Sequence, residues 1–418
     1  MRSPARLQAC PERRPAGRAL RLSAEEELLL LCARADADPS QTRRMRELAG
    51  SAELDWRRFG SLAAEQEVLP LVSRVLAGPL LAGHVPRPVA DEARRARLET
   101  LARNLSLHAE LDRIASRLHA SSIPVVPLKG TCLAQRLFAS LDARRVGDID
   151  VLVPRARLTE ARSLLSELGY AAVDGQEQHA FHGAPYVRST GTISFVVELH
   201  WGLSDPGFVT VDYAELWQRV LASSRDARAL RTLPGEQVLC PLPGEETLLF
   251  LALHLAKHHS GVLRLLADVD RLVRREGPSL DWSYVVRLAE RWHVGVLLYF
   301  ALQRAHCLLG TPLPEAVAAR LRPPAWRRVL VEQFAGPRAV LRPPARPALR
   351  YSRVQLAYCA MLTPLGRSLA AYRHYLCLPS DRPHRGPLGR LLSLVEAPLG
   401  GVGRTALALS SLAGDRWS

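Results

Sequence analysis

Gly147-Asp-Ile-Asp-Val-Leu-Val153 is the stretch on which the fold of this chain turns. Apolar Ile149, Val151 and Val153 alternate with acidic residues at 148 and 150, the period-two pattern of a strand with one polar face at its start, and Pro154 ends it. Side chains at positions i and i+2 of a strand project to the same side, so Asp148 and Asp150 can reach one metal cluster.

Upstream, Ile123-Pro-Val-Val-Pro-Leu128 is a short β-leaning run that ends in Lys129-Gly130-Thr131, after which Leu133, Ala134, Leu137 and Phe138 resume helical spacing. This is strand, glycine turn, helix, and the free N–H groups opening such a helix suit a triphosphate. Lys129 supplies a compact cation beside them. Downstream, a helix over 157–168 is followed by Gly169 as its cap, a short strand over 170–173, and a polar stretch in which His179 and His182 read as surface residues. Thr192-Ile-Ser-Phe-Val-Val-Glu-Leu-His200 then gives the clearest strand in the chain. Glu198 lies among its apolar residues, where a buried carboxylate is costly without a nearby cation.

Both flanks are helical. Ser23 and the acidic run after it start a helix, and further helices are expected over 55–76, 98–118, 245–259, 263–275 and 281–302, with Pro-Arg-rich connections at 312–325 and 337–349. Leu54-Asp-Trp56 recurs as Leu280-Asp-Trp282, with Leu62, Ala63, Val68 and Leu71 matched by Leu288, Ala289, Val294 and Leu297 at a constant offset of 226. We read this as one helix design used twice, with Asp55 and Asp281 as N-caps and each Trp beside the first turn. The fold class expected is α+β, a small mixed-sheet core between helical regions. Its division is a basic leader (1–22), an N-terminal helical region (23–119), the core (120–235), a C-terminal helical region (236–380) and a tail (381–418).

The formal charge is +15, yet only two of the 56 basic residues are lysines, Lys129 and Lys257, so the arginine excess is a compositional habit. The excess is concentrated in residues 1–22 and 320–353, and aromatics, at 6% of the chain, do not interleave with it. A stacking platform for single-stranded nucleic acid is therefore not indicated. Seven widely spaced cysteines indicate neither a disulfide framework nor a zinc site. The apolar runs are too short to span a bilayer and no signal-peptide centre is present, so a cytoplasmic protein with no membrane partner is expected.

Together, Pro127-Leu-Lys-Gly-Thr131, Arg144 four residues ahead of Asp148, the 147–153 strand and Glu198-Leu-His-Trp201 resemble an uncharacterised bacterial nucleotidyltransferase family of the DNA polymerase β-type superfamily. The resemblance extends through both Leu-Asp-Trp helices and His254-Leu-Ala-Lys-His258 with Asp268, over about residues 24–310. It implies Asp148, Asp150 and Glu198 around two Mg²⁺ ions, and Gly130 and Thr131 against the phosphates of an NTP such as ATP. A nucleoside monophosphate would pass to an unidentified acceptor (small molecule, peptide, protein or RNA) as pyrophosphate departs. Glu198 is also placed to take the acceptor's proton. The Lys-Gly-Thr turn departs from the Gly-Ser or Gly-Gly usual in the superfamily, and the gap from Gly130 to Asp148 is long.

Arg144 is either a phosphate ligand or one half of a structural ion pair. His200, His254, Lys257 and His258 are candidate substrate contacts. His254 and His258, one helical turn apart, are either metal ligands with His259 and Asp268 or histidines hydrogen-bonded where helix meets core. Trp201 is read as a packing residue. Two other functions share these motifs: a nucleotide-binding or regulatory protein without turnover, and an RNA-modifying transferase gripping RNA with the basic tails.

Overall fold

A computed structural model describes residues 21–173, 182–191, 193–204, 209–227, 239–257, 263–342, 360–362 and 366. Helices α1 (Ala24–Ala33), α2 (Pro39–Ala49), α3 (Trp56–Glu65), α4 (Leu69–Leu76) and α5 (Arg87–Ala120) come first. The core follows as β1 (Val126–Pro127), α6 (Thr131–Phe138), β2 (Ile149–Leu152), α7 (Leu158–Glu167), β3 (Ala171–Ala172), β4 (Gly183–Thr190) and β5 (Ile193–His200). Then come α8 (Tyr213–Ala227), α9 (Gly244–Lys257), α10 (Leu263–Glu276), α11 (Trp282–Arg291) and α12 (Gly295–Leu309). Helices α13 (Glu315–Leu321), α14 (Ala325–Ala335) and α15 (Pro337–Leu341) follow.

Among the described residues the sheet has five strands in the order β1-β2-β5-β4-β3. Only β2 and β5 run parallel, pairing Asp150 with Glu198 and Leu152 with His200. The other pairs are antiparallel. The α+β class expected from sequence is the one observed, with helices on both sides of the core in the chain. Strand β4 is an addition, because the sequence reading left its residues in a polar stretch. Its apolar positions are few and Pro185 interrupts them, yet it pairs along its whole length with β5.

The two long helices expected over 55–76 and 281–302 are each broken in two. Glu67 (φ 54°) separates α3 from α4, and His293 (φ 62°) separates α11 from α12. A single left-handed residue keeps the apolar residues close to helical spacing, so periodicity conceals the break. The N-caps are where they were expected: Asp55 accepts from Arg58 N and Asp281 from Tyr284 N. Gly169, with φ 83°, closes α7 in the left-handed conformation expected of it.

The sheet separates two cores. Ile149, Val151, Val153, Val197 and Leu199 pack with Leu107, Leu111, Ile114 and Leu118 of α5 and with α7. Val126, Leu128 and Leu152 point the other way, into a core shared with α1, α3, α4, α6, α9, α10 and α12. Strand alternation therefore sends Asp150, Glu198 and His200 to the face that looks toward the helical flanks. Ion pairs, buried and half-buried, fix that geometry. Arg144 grips Asp268 of α10 with two bonds of 2.7 and 2.8 Å, Arg136 of α6 holds Glu276, and Glu110 of α5 takes Tyr170, Arg113 and Arg188. No described helix is long and apolar enough to cross a membrane.

Candidate functional site

Asp150 sits on β2 with its side chain fully buried, whereas Asp148, just before the strand, is 31% exposed. Lys129 lies between them, its Nζ 3.1 Å from Asp150 Oδ1 and 3.6 Å from Asp148 Oδ2. Burial works against the Lys129 charge, but Asp150, Asp148 and Glu198 outweigh it and hold the ammonium above its ordinary value. Asp150 is pushed up by burial and by the Asp148 charge, against the pull of His200 and Lys129.

Glu198 corrects one expectation. It is not the buried member of the set: its side chain is 41% exposed, and Asp150 is the one enclosed. A hydrogen bond from His200 is the main reason its carboxyl is lowered to about 2. His200 Nε2 lies 3.1 Å from Asp150 Oδ1 and 3.2 Å from Glu198 Oε2. Burial alone would lower the imidazole pKa, yet the two carboxylates raise it.

The ligand atoms of Asp150, Glu198 and His200 lie within 4.8 Å of one another. Asp150 Oδ2 is buried without a hydrogen-bond partner. An acceptor left in that state is costly, and a cation removes the cost, so these residues fit a divalent metal. Asp148 stands across Lys129 from this cluster rather than in it.

A cavity of about 290 Å³ reaches Asp148 and Lys129, and is lined with them by Gly130, Arg144, Arg145, Val146 and Gly147 from the core, His254 and Arg264 from the C-terminal helices, and Glu67 from the α3–α4 turn. Gly130, with φ 80°, adopts a conformation that favours glycine and places the start of α6 on this cavity. The N–H groups of the first turn have no partner within the helix and carry its positive end. Thr131 is buried, and its hydroxyl is bonded to His108 Nδ1. The 146–147 wall is braced by Arg103, which donates to the Val146 and Gly147 carbonyls.

Arg144 reaches the cavity wall with its guanidinium in a two-bond ion pair with the Asp268 carboxylate, the structural pair among its two readings. His254 is buried with its ring parallel to that of Phe250 at 6.1 Å. His258, His259 and His179 lie outside the described residues. His182 is a correction. Expected at the surface, it packs its ring 6.1 Å from that of His200 and takes Lys257 Nζ at 3.3 Å. Burial, with Lys257 and His200 adding, lowers its pKa to about 3. Trp201 packs in the sheet core under Arg162, in keeping with its reading.

Three charged residues on the cavity were not foreseen: Arg145, Arg264 and Glu67. Arg145 is exposed and makes no ion pair or hydrogen bond among the described residues, whereas Arg264 holds Glu67 at 2.7 Å. Arg145 had a weak signal, standing beside Arg144 and three residues before Asp148. Arg264 and Glu67 had none, being brought there from 197 residues apart.

The family of uncharacterised nucleotidyltransferases matches residues 52–310, more than half of the chain, taking in the sheet, the cavity and both Leu-Asp-Trp helices. The chain belongs to that family. No curated protein and no solved structure matches it.

Proposed function

We propose that this protein transfers a nucleoside monophosphate from a nucleoside triphosphate to an acceptor, in the presence of divalent cations such as the Mg²⁺ that accompanies the triphosphate. One observation carries the reading: buried Asp150 stands beside Glu198 in parallel register, joined through Lys129 to a cationic cavity floored by the Gly130 turn. The cavity supplies what a triphosphate needs: free N–H groups at the start of α6, the Lys129 ammonium, and Arg145 and Arg264 on the walls.

Asp148, Asp150 and Glu198 would hold the metal ions, which when bound neutralise charge on the attacking and leaving oxygens. Lys129 bridges the two aspartates before the nucleotide arrives. Arg145 draws the terminal phosphates away from the carboxylates, orienting the α-phosphate toward Asp150. Glu198, held near 2, is a poor proton acceptor at neutral pH and serves as a charged ligand. His200 and His182 close the site on its far side, where the acceptor enters past the exposed edge of Glu198.

The test uses the purified full chain with α-labelled NTPs, a divalent cation and candidate acceptors. Label transferred to an acceptor or to the chain itself, with release of pyrophosphate, is the expected result. Asp150→Asn and Glu198→Gln should each lower it on the order of a hundredfold to a thousandfold, the usual scale for lost transition-state electrostatics. Neither binding nor transfer of any NTP, or full transfer by both variants, would overturn it.

A further inference from the structure

We propose, resting on the transferase reading for its catalytic meaning, that Asp150, Glu198 and His200 form a resident site for a divalent transition-metal ion, with His200 Nε2 as a direct ligand. A three-carboxylate site would favour Mg²⁺. This one replaces the third carboxylate with an imidazole.

The position of His200 is built into the sheet. Residues 198 and 200 share one face of β5, and the 150–198 register sets both beside Asp150. Gly183 of β4 faces His200 across the ladder. A Cβ at 183 would lie 2.5 Å from His200 Nδ1 and 3.0 Å from its Cε1, so the ring occupies the space a side chain would take. His182 covers the ring from the neighbouring position, 6.1 Å away at an interplanar angle of 26°. Enclosed in this way, the ring points its Nε2 at both carboxylates, at 3.1 and 3.2 Å.

Two buried atoms point to what completes the site. Asp150 Oδ2 has no hydrogen-bond partner although Oδ1 of the same carboxylate contacts both Lys129 and His200, and His200 Nδ1 is also unpartnered. A cation on the Oδ2 side satisfies the first without displacing Lys129 from Oδ1. With Nε2 as a ligand, the ring would carry its proton on Nδ1 or give it up to solvent.

The donor chemistry selects the ion. Mg²⁺ takes oxygen ligands in a strict octahedron and keeps most of its waters. Imidazole nitrogen adds affinity along the transition series from Mn²⁺ upward, and three protein ligands leave positions open for substrate oxygens. Asp148, on the other side of Lys129, remains for the ion that arrives with the nucleotide.

The experiment uses the full-length chain stripped with chelator and Mn²⁺ alone as probe, with no nucleotide. Free Mn²⁺ is followed by electron paramagnetic resonance, Mg²⁺ is the competitor, and pulsed spectra report nitrogen coupled to the bound ion. One Mn²⁺ per chain is expected, bound at least about tenfold more tightly than Mg²⁺ and coupled to one imidazole nitrogen. His200→Gln should abolish the coupling and weaken Mn²⁺ about tenfold to a hundredfold, the scale seen when ligand support is lost. Gly183→Ala, which displaces the ring and leaves every ligand present, should weaken Mn²⁺ but not Mg²⁺. If either variant fails to fold, the nitrogen coupling of the unaltered chain decides alone. Absence of Mn²⁺ binding, binding without nitrogen coupling, or equal competition by Mg²⁺ would each overturn the assignment. A chain that binds Mn²⁺ through His200 but transfers nothing refutes the transferase reading alone, and one that transfers with Mg²⁺ but shows no coupling refutes only the metal assignment.

Discussion

The hairpins α3–α4 and α11–α12 are one backbone device used twice, 226 residues apart in sequence. Each opens on an aspartate N-cap whose own N–H is held by a glutamate from an earlier helix, Glu25 for Asp55 and Glu245 for Asp281. Each breaks at a left-handed residue, Glu67 or His293, and each re-forms through a bond from Val68 N to Ala63 O or from Val294 N to Ala289 O, both of 2.9 Å. The residues at the break then part company. Trp292 turns into the core, whereas its counterpart Gln66 accepts from Leu263 N and donates to the Val340 carbonyl. Glu67 takes Arg264 at the cavity, so the first hairpin sets one wall of the site and the second only supports the core. The same local structure serves packing or function according to two side chains.

The sharpest way to break this comparison is Trp292→Ala, which should destabilise the protein by about 3–5 kcal/mol in chemical denaturation and leave nucleotide affinity unchanged while the chain is folded. Gln66→Ala should cost less, about 1–3 kcal/mol for buried groups left unpaired, yet weaken nucleotide binding by calorimetry because the start of α10 with Arg264 loses its anchor. Equal effects of the two on binding would remove the division of labour. Asp55→Ala and Asp281→Ala should each cost about 1 kcal/mol, and the double variant should equal their sum, since distant sites add. A marked inequality would show that the caps are not equivalent.

The smallest effect concerns pH. Burial pulls the Glu25 carboxyl upward, but the Ser23 hydroxyl and the Asp55 N–H outweigh it and hold the group below its ordinary 4.5. A lowered carboxylate contributes stability above the unfolded value and loses it as the pH falls through the folded one. Glu25→Gln should therefore flatten the loss of stability in acid below pH 4.5, measured by thermal melts across that range. An unchanged acid limb would mean that Glu25 does not carry it.

Much of the site was legible. Asp148, Asp150, Lys129 and Gly130 stand in one short strand-turn-helix and strand pattern, and local sterics write such patterns into neighbouring residues. His200 follows Glu198 at the same i, i+2 spacing that singled out the aspartates, so its place beside them was available to that rule. The exposure of Glu198 was not, because apolar neighbours in sequence say nothing about which end of a strand meets solvent. The breaks at Glu67 and His293 were hidden as well, since one left-handed residue barely disturbs a helical pattern.

By itself the sequence determined the acidic residues that can ligate a metal and most of the strands and helices that carry them, β4 and the two helix breaks aside, because propensity, periodicity and capping act over a few residues. Only the tertiary structure decided that Arg144 pairs with Asp268, that Arg264 and Glu67 meet at the cavity, and that His200 joins Asp150 and Glu198 while Lys129 lies between Asp150 and Asp148. Those outcomes depend on strand register and on helix docking across as many as 197 residues, and register is set by the burial of the whole core.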